Sequence, residues 1–195
     1  EAQFLVTKQF RQMWASVDDD LGIHSQLEPI IGKRPTSVDS KINWPRRNLN
    51  QSEGFALPNA DGSIIDLASY RGKPVVVIFF LGGGCLHCVQ QLTAFAPKAE
   101  VFREQGIEMI AVSTDGIADL KSGFEKSAIK LDFPIVSGEG LSVFKKWGVY
   151  DEFEDRPLHR TFLLDGKGGV QWLEVGHEPF MEADFLLSEA KLLLK

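Results

Sequence analysis

Sulfur and positive charge are both in short supply in this chain. Its 195 residues hold two cysteines and three methionines, and 21 lysines and arginines face 27 acidic residues, a formal net charge of -6 at pH 7. Two cysteines are too few for a secreted disulfide scaffold, which carries several at wide spacings. The deficit of Lys and Arg argues against nucleic acid as a partner, because a phosphate backbone recruits both in excess. Long apolar runs are missing too: stretches such as VVVIFFL at 75–81 fall far short of the ~20 residues a membrane helix needs. No basic flank precedes an apolar run near the N-terminus. The expectation is a soluble protein without membrane association, its compartment left open. Because the chain begins with Glu1, it reads as a processed chain or as a domain of something longer.

Phosphate loops are absent as well. Gly166-Lys-Gly-Gly169 lacks the upstream glycine spacing and the following Ser or Thr. GGGCLH at 82–87 has His87 where the last glycine of a dinucleotide fingerprint would stand.

What is present, at 44% apolar and 25% charged residues, is ordinary globular material, able to bury about 70% of its unfolded surface in one core. Residues 3–17 place Phe4, Leu5, Phe10, Met13, Trp14 and Val17 near helical spacing, which predicts an amphipathic docking helix. From 18 to 52 Pro, Asn and charges replace any period, so an extended surface arm is expected, with PRR at 45–47 a solvated part of it. The division is therefore 1–52, helix and arm, and 53–195, the main domain.

In that domain ALPNADGSIIDL predicts a hairpin turning at Asn59–Gly62. VVVIFF reads as a strand buried on both faces. A helix is predicted from the cysteines to about Gln105, and IEMIAVS at 107–113 is a second buried strand. Strand, helix, strand in this span is a right-handed crossover, so the sheet is at least partly parallel. Helices near 116–128 and 140–147, a strand at FPIVS, and a hairpin of HRTFLLD and GVQWLEV follow. A closing helix over 181–194 is expected to bury Met181, Phe185, Leu186, Leu192 and Leu193.

The chemistry concentrates in Cys85-Leu-His-Cys88. A zinc site would need two more ligands, and besides carboxylates only His24, His87, His159 and His177 are available, with no second pair at ligand spacing; no metal is expected. A structural bridge over so short a loop removes little chain entropy. Thiol chemistry suits the position better. A strand ends and a helix begins here, so Cys85 meets unpaired amides and the positive dipole end, which favour a thiolate. Cys88 follows one turn on, placed to resolve a mixed disulfide. His87 would add positive charge when protonated, or simply face solvent. The glycines ending at Gly84 leave the sulfur open to a partner backbone.

These residues together resemble the thioredoxin superfamily, in its alkyl hydroperoxide reductase and thiol-specific antioxidant (AhpC/TSA, peroxiredoxin-like) branch. The resemblance rests on FALPNADGSIIDLASYRGKPVVVIFF, the cysteine helix, GIEMIAVSTD and TFLLDGKGGV, from residue 53 to about 175. It implies an α/β thioredoxin-like fold, a central mixed β-sheet flanked by helices, preceded here by an N-terminal helix and extended arm. It also implies redox work by the cysteine pair with no further cofactor. Counted from Phe79, Cys88 takes the family's peroxidatic position and Cys85 that of its threonine. The family's later Arg should stand three residues before Phe162, but His159 is there and Arg160 comes one place late; the thioredoxin cis-proline of that position is also absent. His159 and Arg160 are thus expected to line the site.

Two enzymatic versions stay open. In one, Cys85 attacks a protein or small-molecule disulfide and Cys88 resolves it, with His87 setting the poise. In the other, Cys88 attacks a hydroperoxide and condenses with Cys85. Either needs an external thiol reductant or oxidant. A non-catalytic thioredoxin-like binding module is the third reading.

Overall fold

The computed structural model describes residues 52–125, 131–174 and 178–194, all within the compact unit Asn48–Lys195. The helix expected over 3–17 and the arm that follows it, except for its last residue, lie outside the described residues.

The organising element is β3, Val75–Phe80, in which every residue is 2% exposed or less. A strand apolar on both faces has to lie inside a sheet that is covered on both sides. It pairs in parallel with β4 (Glu108–Ser113) and antiparallel with β8 (Arg160–Leu164), at the centre of a mixed five-stranded sheet of order β5-β4-β3-β8-β9. The outer strands are β5 (Ile135–Ser137), parallel to β4, and β9 (Val170–Leu173), antiparallel to β8. The expected crossover from β3 to β4 carries α1 (Leu86–Phe95) and α2 (Ala99–Glu104). The single helix predicted there is interrupted: Ala96–Lys98 tighten into a 3-10 turn with Pro97 at its start, where a residue lacking N–H does least harm.

Alternate residues of β3 face opposite sides and build two cores. Val76, Ile78 and Phe80 meet Cys88, Leu92, Phe95 and Phe102 of the crossover helices, with Leu186 and Ala190 from α5, the closing helix Ala183–Leu193. Val75, Val77 and Phe79 meet Phe144, Trp147 and Phe162. There Phe79 stands at the middle of an aromatic cluster, its ring centroid 5.1–5.8 Å from those of the other three. Phe144 comes from α4 (Ser142–Lys146), the short helix expected near 140–147; α3 (Ile117–Glu125) falls inside the helix expected over 116–128.

Both predicted hairpins are present. β1 (Ala56–Pro58) and β2 (Ile64–Asp66) pair around a turn in which Asn59 Oδ1 accepts the N–H groups of Asp61 and Ser63 and Gly62 adopts φ +88°. In the β8–β9 turn Gly168 takes φ +81°. A third pair was not foreseen: β6 (Tyr150–Asp151) and β7 (Arg156–Pro157) bracket a charged loop with no alternating pattern. The apolar face of α5 also differs from expectation. Ala183, Leu186, Leu187 and Ala190 are buried, at helical spacing, whereas Phe185 and Leu192, seven residues apart on the other side, are 49% and 63% exposed, and Met181 precedes the helix at 38%.

Candidate active site

The carboxyl end of β3 runs into Leu81–Cys85, a loop whose path is fixed by glycine. Gly82 has φ +90°, and a Cβ there would run into the carboxylate of Asp115, beyond the end of β4. That carboxylate accepts the N–H of Gly83 at 2.7 Å and so ties the loop to the neighbouring strand. Gly84 is different. A Cβ placed on it meets nothing within 4 Å.

Cys85 is the N-cap of α1, with extended backbone (φ -93°, ψ 109°), and its Sγ accepts the N–H of Cys88 at 3.3 Å. A cap residue is half in and half out of the helix, which presents its side chain to the unpaired amides of the first turn. Cys88 lies inside the helix and is completely buried, while Cys85 is partly exposed; both are free thiols. The Sγ of Cys88 accepts the Leu81 N–H at 3.3 Å. Burial pushes the Cys88 thiol up to about 12, the hydrogen bond and charge of Cys85 add to this, and the Leu81 N–H pulls the other way.

The third member is His159. Its Nε2 lies 3.1 Å from Cys88 Sγ and 3.7 Å from Cys85 Sγ, and the three ligand-type atoms all lie within 4.8 Å of one another. Register explains why His159 reaches the sulfurs. In β8, Arg160 pairs with Phe79, and residues opposite one another share a face. Phe79 and Phe162 belong to the aromatic core away from Cys88, and the pleat puts Arg160 on that side. His159, one residue earlier, falls on the cysteine side with Thr161 and Leu163, so the one-place displacement exchanges a guanidinium for an imidazole at the sulfurs. Arg160, expected to line the site, is instead half-buried beside Glu174, and desolvation lowers its pKa while Glu174 raises it.

His87 stands apart from this group. Its Nδ1 is 2.9 Å from Glu178 Oε2, its side chain is 59% exposed, and it does not join the cluster of Cys85, Cys88 and His159. The basic group against the pair is therefore the distant histidine, not the one inside the motif.

Beneath the sulfurs lies a buried polar layer that sequence reasoning missed. Gln91, fully buried and one turn beyond Cys88, donates to Thr161 Oγ1 at 3.1 Å and to the Phe180 carbonyl at 2.9 Å. Nearby Glu174 is pushed up to about 7 by burial, an effect that Arg160 and the Phe180 N–H partly oppose. The one available signal was spacing: Gln91 lies three residues after Cys88, on the same helical face.

This arrangement can perform chemistry that needs two sulfurs of unequal exposure and a base shared between them, and its three atoms could also hold a soft metal ion. Known proteins match the whole frame. Peroxiredoxin Q of Triticum aestivum, a chloroplast protein, is 37% identical over 120 residues, 61% of this chain and 54% of that one. The chain thus spans about half of that relative's length. Among solved structures, the peroxidoxin BcpB of Mycobacterium tuberculosis superposes with a TM-score of 0.65 at 22% identity, over 74% of this chain and 96% of that one. A Chlorobium tepidum structure described as a thiol:disulfide interchange protein, DsbE, gives 0.62 at 20%, over 75% and 96%. Identities this low show a shared thioredoxin-like fold. The AhpC/TSA family model matches residues 50–173, from just before β1 to the end of β9 with both cysteines and His159 inside it, and on that ground this chain belongs to the AhpC/TSA family.

Proposed function

We propose that the chain is a thiol–disulfide oxidoreductase in which Cys85 attacks, Cys88 resolves, and His159 accepts the Cys88 proton. The observation that carries this reading is the inequality of the two sulfurs. Cys85 is partly exposed at a helix N-cap beside open space at Gly84; Cys88 is fully buried, 3.1 Å from His159 Nε2. In the first step Cys85 sulfur bonds to one sulfur of a protein or small-molecule disulfide, whose other sulfur leaves and takes a proton. In the second, His159 removes the Cys88 proton, and the new thiolate bonds to Cys85 sulfur and expels the remaining thiol. The substrate gains two electrons, the pair closes to a disulfide, and an external dithiol reopens it. His87, paired with Glu178, serves as a solvent-facing charge at the rim. The unit from 53 onward would be the catalytic domain.

A hydroperoxide substrate is the second reading, favoured by the names of the relatives and by the family position of Cys88. Here the Cys88 thiolate would take the distal oxygen to become a sulfenic acid as the O–O bond breaks and the alcohol or water leaves with a proton, and would then condense with Cys85, releasing water. Its difficulty is physical. The attacking atom would be the buried one, with its thiol held far above the ordinary range.

Single Cys→Ser variants decide the matter. Cys88→Ser is expected to accumulate a mixed disulfide at Cys85 with a model disulfide, and Cys85→Ser to accumulate none. Peroxide-dependent sulfenic acid on Cys88 in Cys85→Ser would establish the peroxidase instead. Inertness of both variants towards both substrates would leave a binding module.

A further inference from the structure

The crossover helix and β8 bring two thiols and an imidazole to one point, a donor set that serves metals as well as electrons. We infer that the reduced chain binds one Zn²⁺ through Cys85 Sγ, Cys88 Sγ and His159 Nε2, and that the bound ion holds the pair reduced and silent.

The geometry is suitable without rearrangement of the backbone. Zinc–sulfur bonds of ~2.3 Å and zinc–nitrogen bonds of ~2.0 Å at tetrahedral angles set sulfur and nitrogen ~3.5 Å apart. The observed separations, 3.1 and 3.7 Å, lie on either side of that value, and all three atoms fall within 4.8 Å of one another. The donors are soft or intermediate, the kind that selects zinc over calcium or magnesium. Charge agrees as well: two thiolates, a neutral imidazole and a divalent cation sum to zero, which suits a pocket in which one sulfur is wholly buried. Among the described residues no fourth His, Cys, Asp or Glu joins the group, so one coordination position is left for water or a ligand beside the partly exposed Cys85.

Sequence spacing hides this site, since the third ligand lies 71 residues beyond Cys88. Binding and disulfide chemistry exclude one another. Each thiol gives up its proton to bond the metal, and a Cys85–Cys88 disulfide has no thiolate to offer. Zinc would therefore stabilise the reduced pair and be released when an oxidant closes it. Metal binding needs only reduced thiols and His159; its regulatory meaning rests on the oxidoreductase reading above.

The test titrates Zn²⁺ into the reduced full chain against a chromophoric chelator, with Co²⁺ as a spectroscopic substitute. The expected result is one ion per chain, with the visible absorption of tetrahedral, thiolate-ligated cobalt. Affinity should fall by at least about tenfold in His159→Gln and in Cys85→Ser. Cys85→Ser changes a partly exposed atom, so it guards against misfolding of the His159 variant. After closure of the disulfide by a thiol oxidant, binding should be lost. Equal affinity in reduced and oxidised protein, or in wild type and His159→Gln, overturns the site. Zinc binding by a chain whose Cys88→Ser variant traps no mixed disulfide would retain the site and remove the oxidoreductase. Trapping without zinc binding would do the reverse.

Discussion

Replacing His159 by Gln removes the basic nitrogen 3.1 Å from Cys88 Sγ while keeping a polar side chain of similar size. The consequence follows from the state of the buried thiol. With its pKa pushed up to about 12 by burial, Cys88 is overwhelmingly the protonated thiol at pH 7. Resolution by spontaneous ionisation is correspondingly slow, and a base within hydrogen-bond reach removes that handicap. Positioned bases contribute about 10²–10⁴ in rate. Attack by Cys85 should depend on the histidine far less, because its sulfur lies farther away, at 3.7 Å, and receives the Cys88 N–H instead. An aromatic disulfide with a coloured leaving thiol separates the steps in one rapid-mixing experiment. The first equivalent released reports Cys85, and the second reports Cys88. In His159→Gln the first phase should stay within a few-fold of wild type, and the second should slow by about 10²-fold or more and recover steadily as pH rises. Loss of the first phase with the second intact, or two unchanged phases, would refute the assignment of His159 as the base for Cys88.

The polar layer and the loop give further expectations. Glu174 titrates at about 7 in the folded chain against an ordinary 4.5, so the native state holds its proton more tightly than the unfolded state, and stability declines as pH rises from 4.5 to 7. Glu174→Gln should flatten that decline by about 1 kcal/mol, a ceiling of ~3 kcal/mol having been discounted because the group is only half-buried. Urea midpoints of both proteins at pH 5 and pH 8 measure it, and parallel pH profiles would contradict it. Gly82→Ala, forced into φ +90° and against Asp115, should cost about 2 kcal/mol or more in urea unfolding, while Gly84→Ala should stay within about 0.5 kcal/mol. On α5, Leu186→Ala should cost about 2–5 kcal/mol and Leu192→Ala almost nothing, since the first is fully buried and the second 63% exposed; equal costs would mean a different helix face is buried.

Those expectations also mark where the sequence was legible. Local chemistry could be read directly. The continuous apolar run of β3 announced a strand covered on both sides, the Asn- and Gly-containing turns announced hairpins, and the strand-to-helix junction put Cys85 at a helix start. Non-local facts were readable only in part. Counting back from Phe162 put His159 near the site, but its approach to both sulfurs spans 71 and 74 residues and leaves no trace in spacing. Which of His159 and Arg160 faces the cysteines depends on the pleat. Thr161 to Leu164 are buried on both faces, so no alternation of polar and apolar residues reveals it. The same weakness affected α5, where leucines at 186, 187, 192 and 193 populate opposite sides and only packing selects the buried ones.

In the proposed mechanism the residue at 159 governs what the cysteine pair can do, because three residue types at that place offer a sulfur three different things. The proline that the thioredoxin resemblance implies supplies shape and no proton acceptor. The arginine that the peroxiredoxin resemblance implies is permanently charged: it stabilises a thiolate but cannot take its proton or bind a metal. Histidine alone of the three can accept a proton, return it, and ligate. It stands 3.1 Å from a buried thiol and 3.7 Å from a partly exposed one, and in the proposed mechanism it would take the proton that burial holds on Cys88. On the proposed roles, capture at Cys85 would come before Cys88 is drawn in. That order suits exchange between disulfides, in which resolution must follow attack, and it works against attack on a peroxide by the buried sulfur.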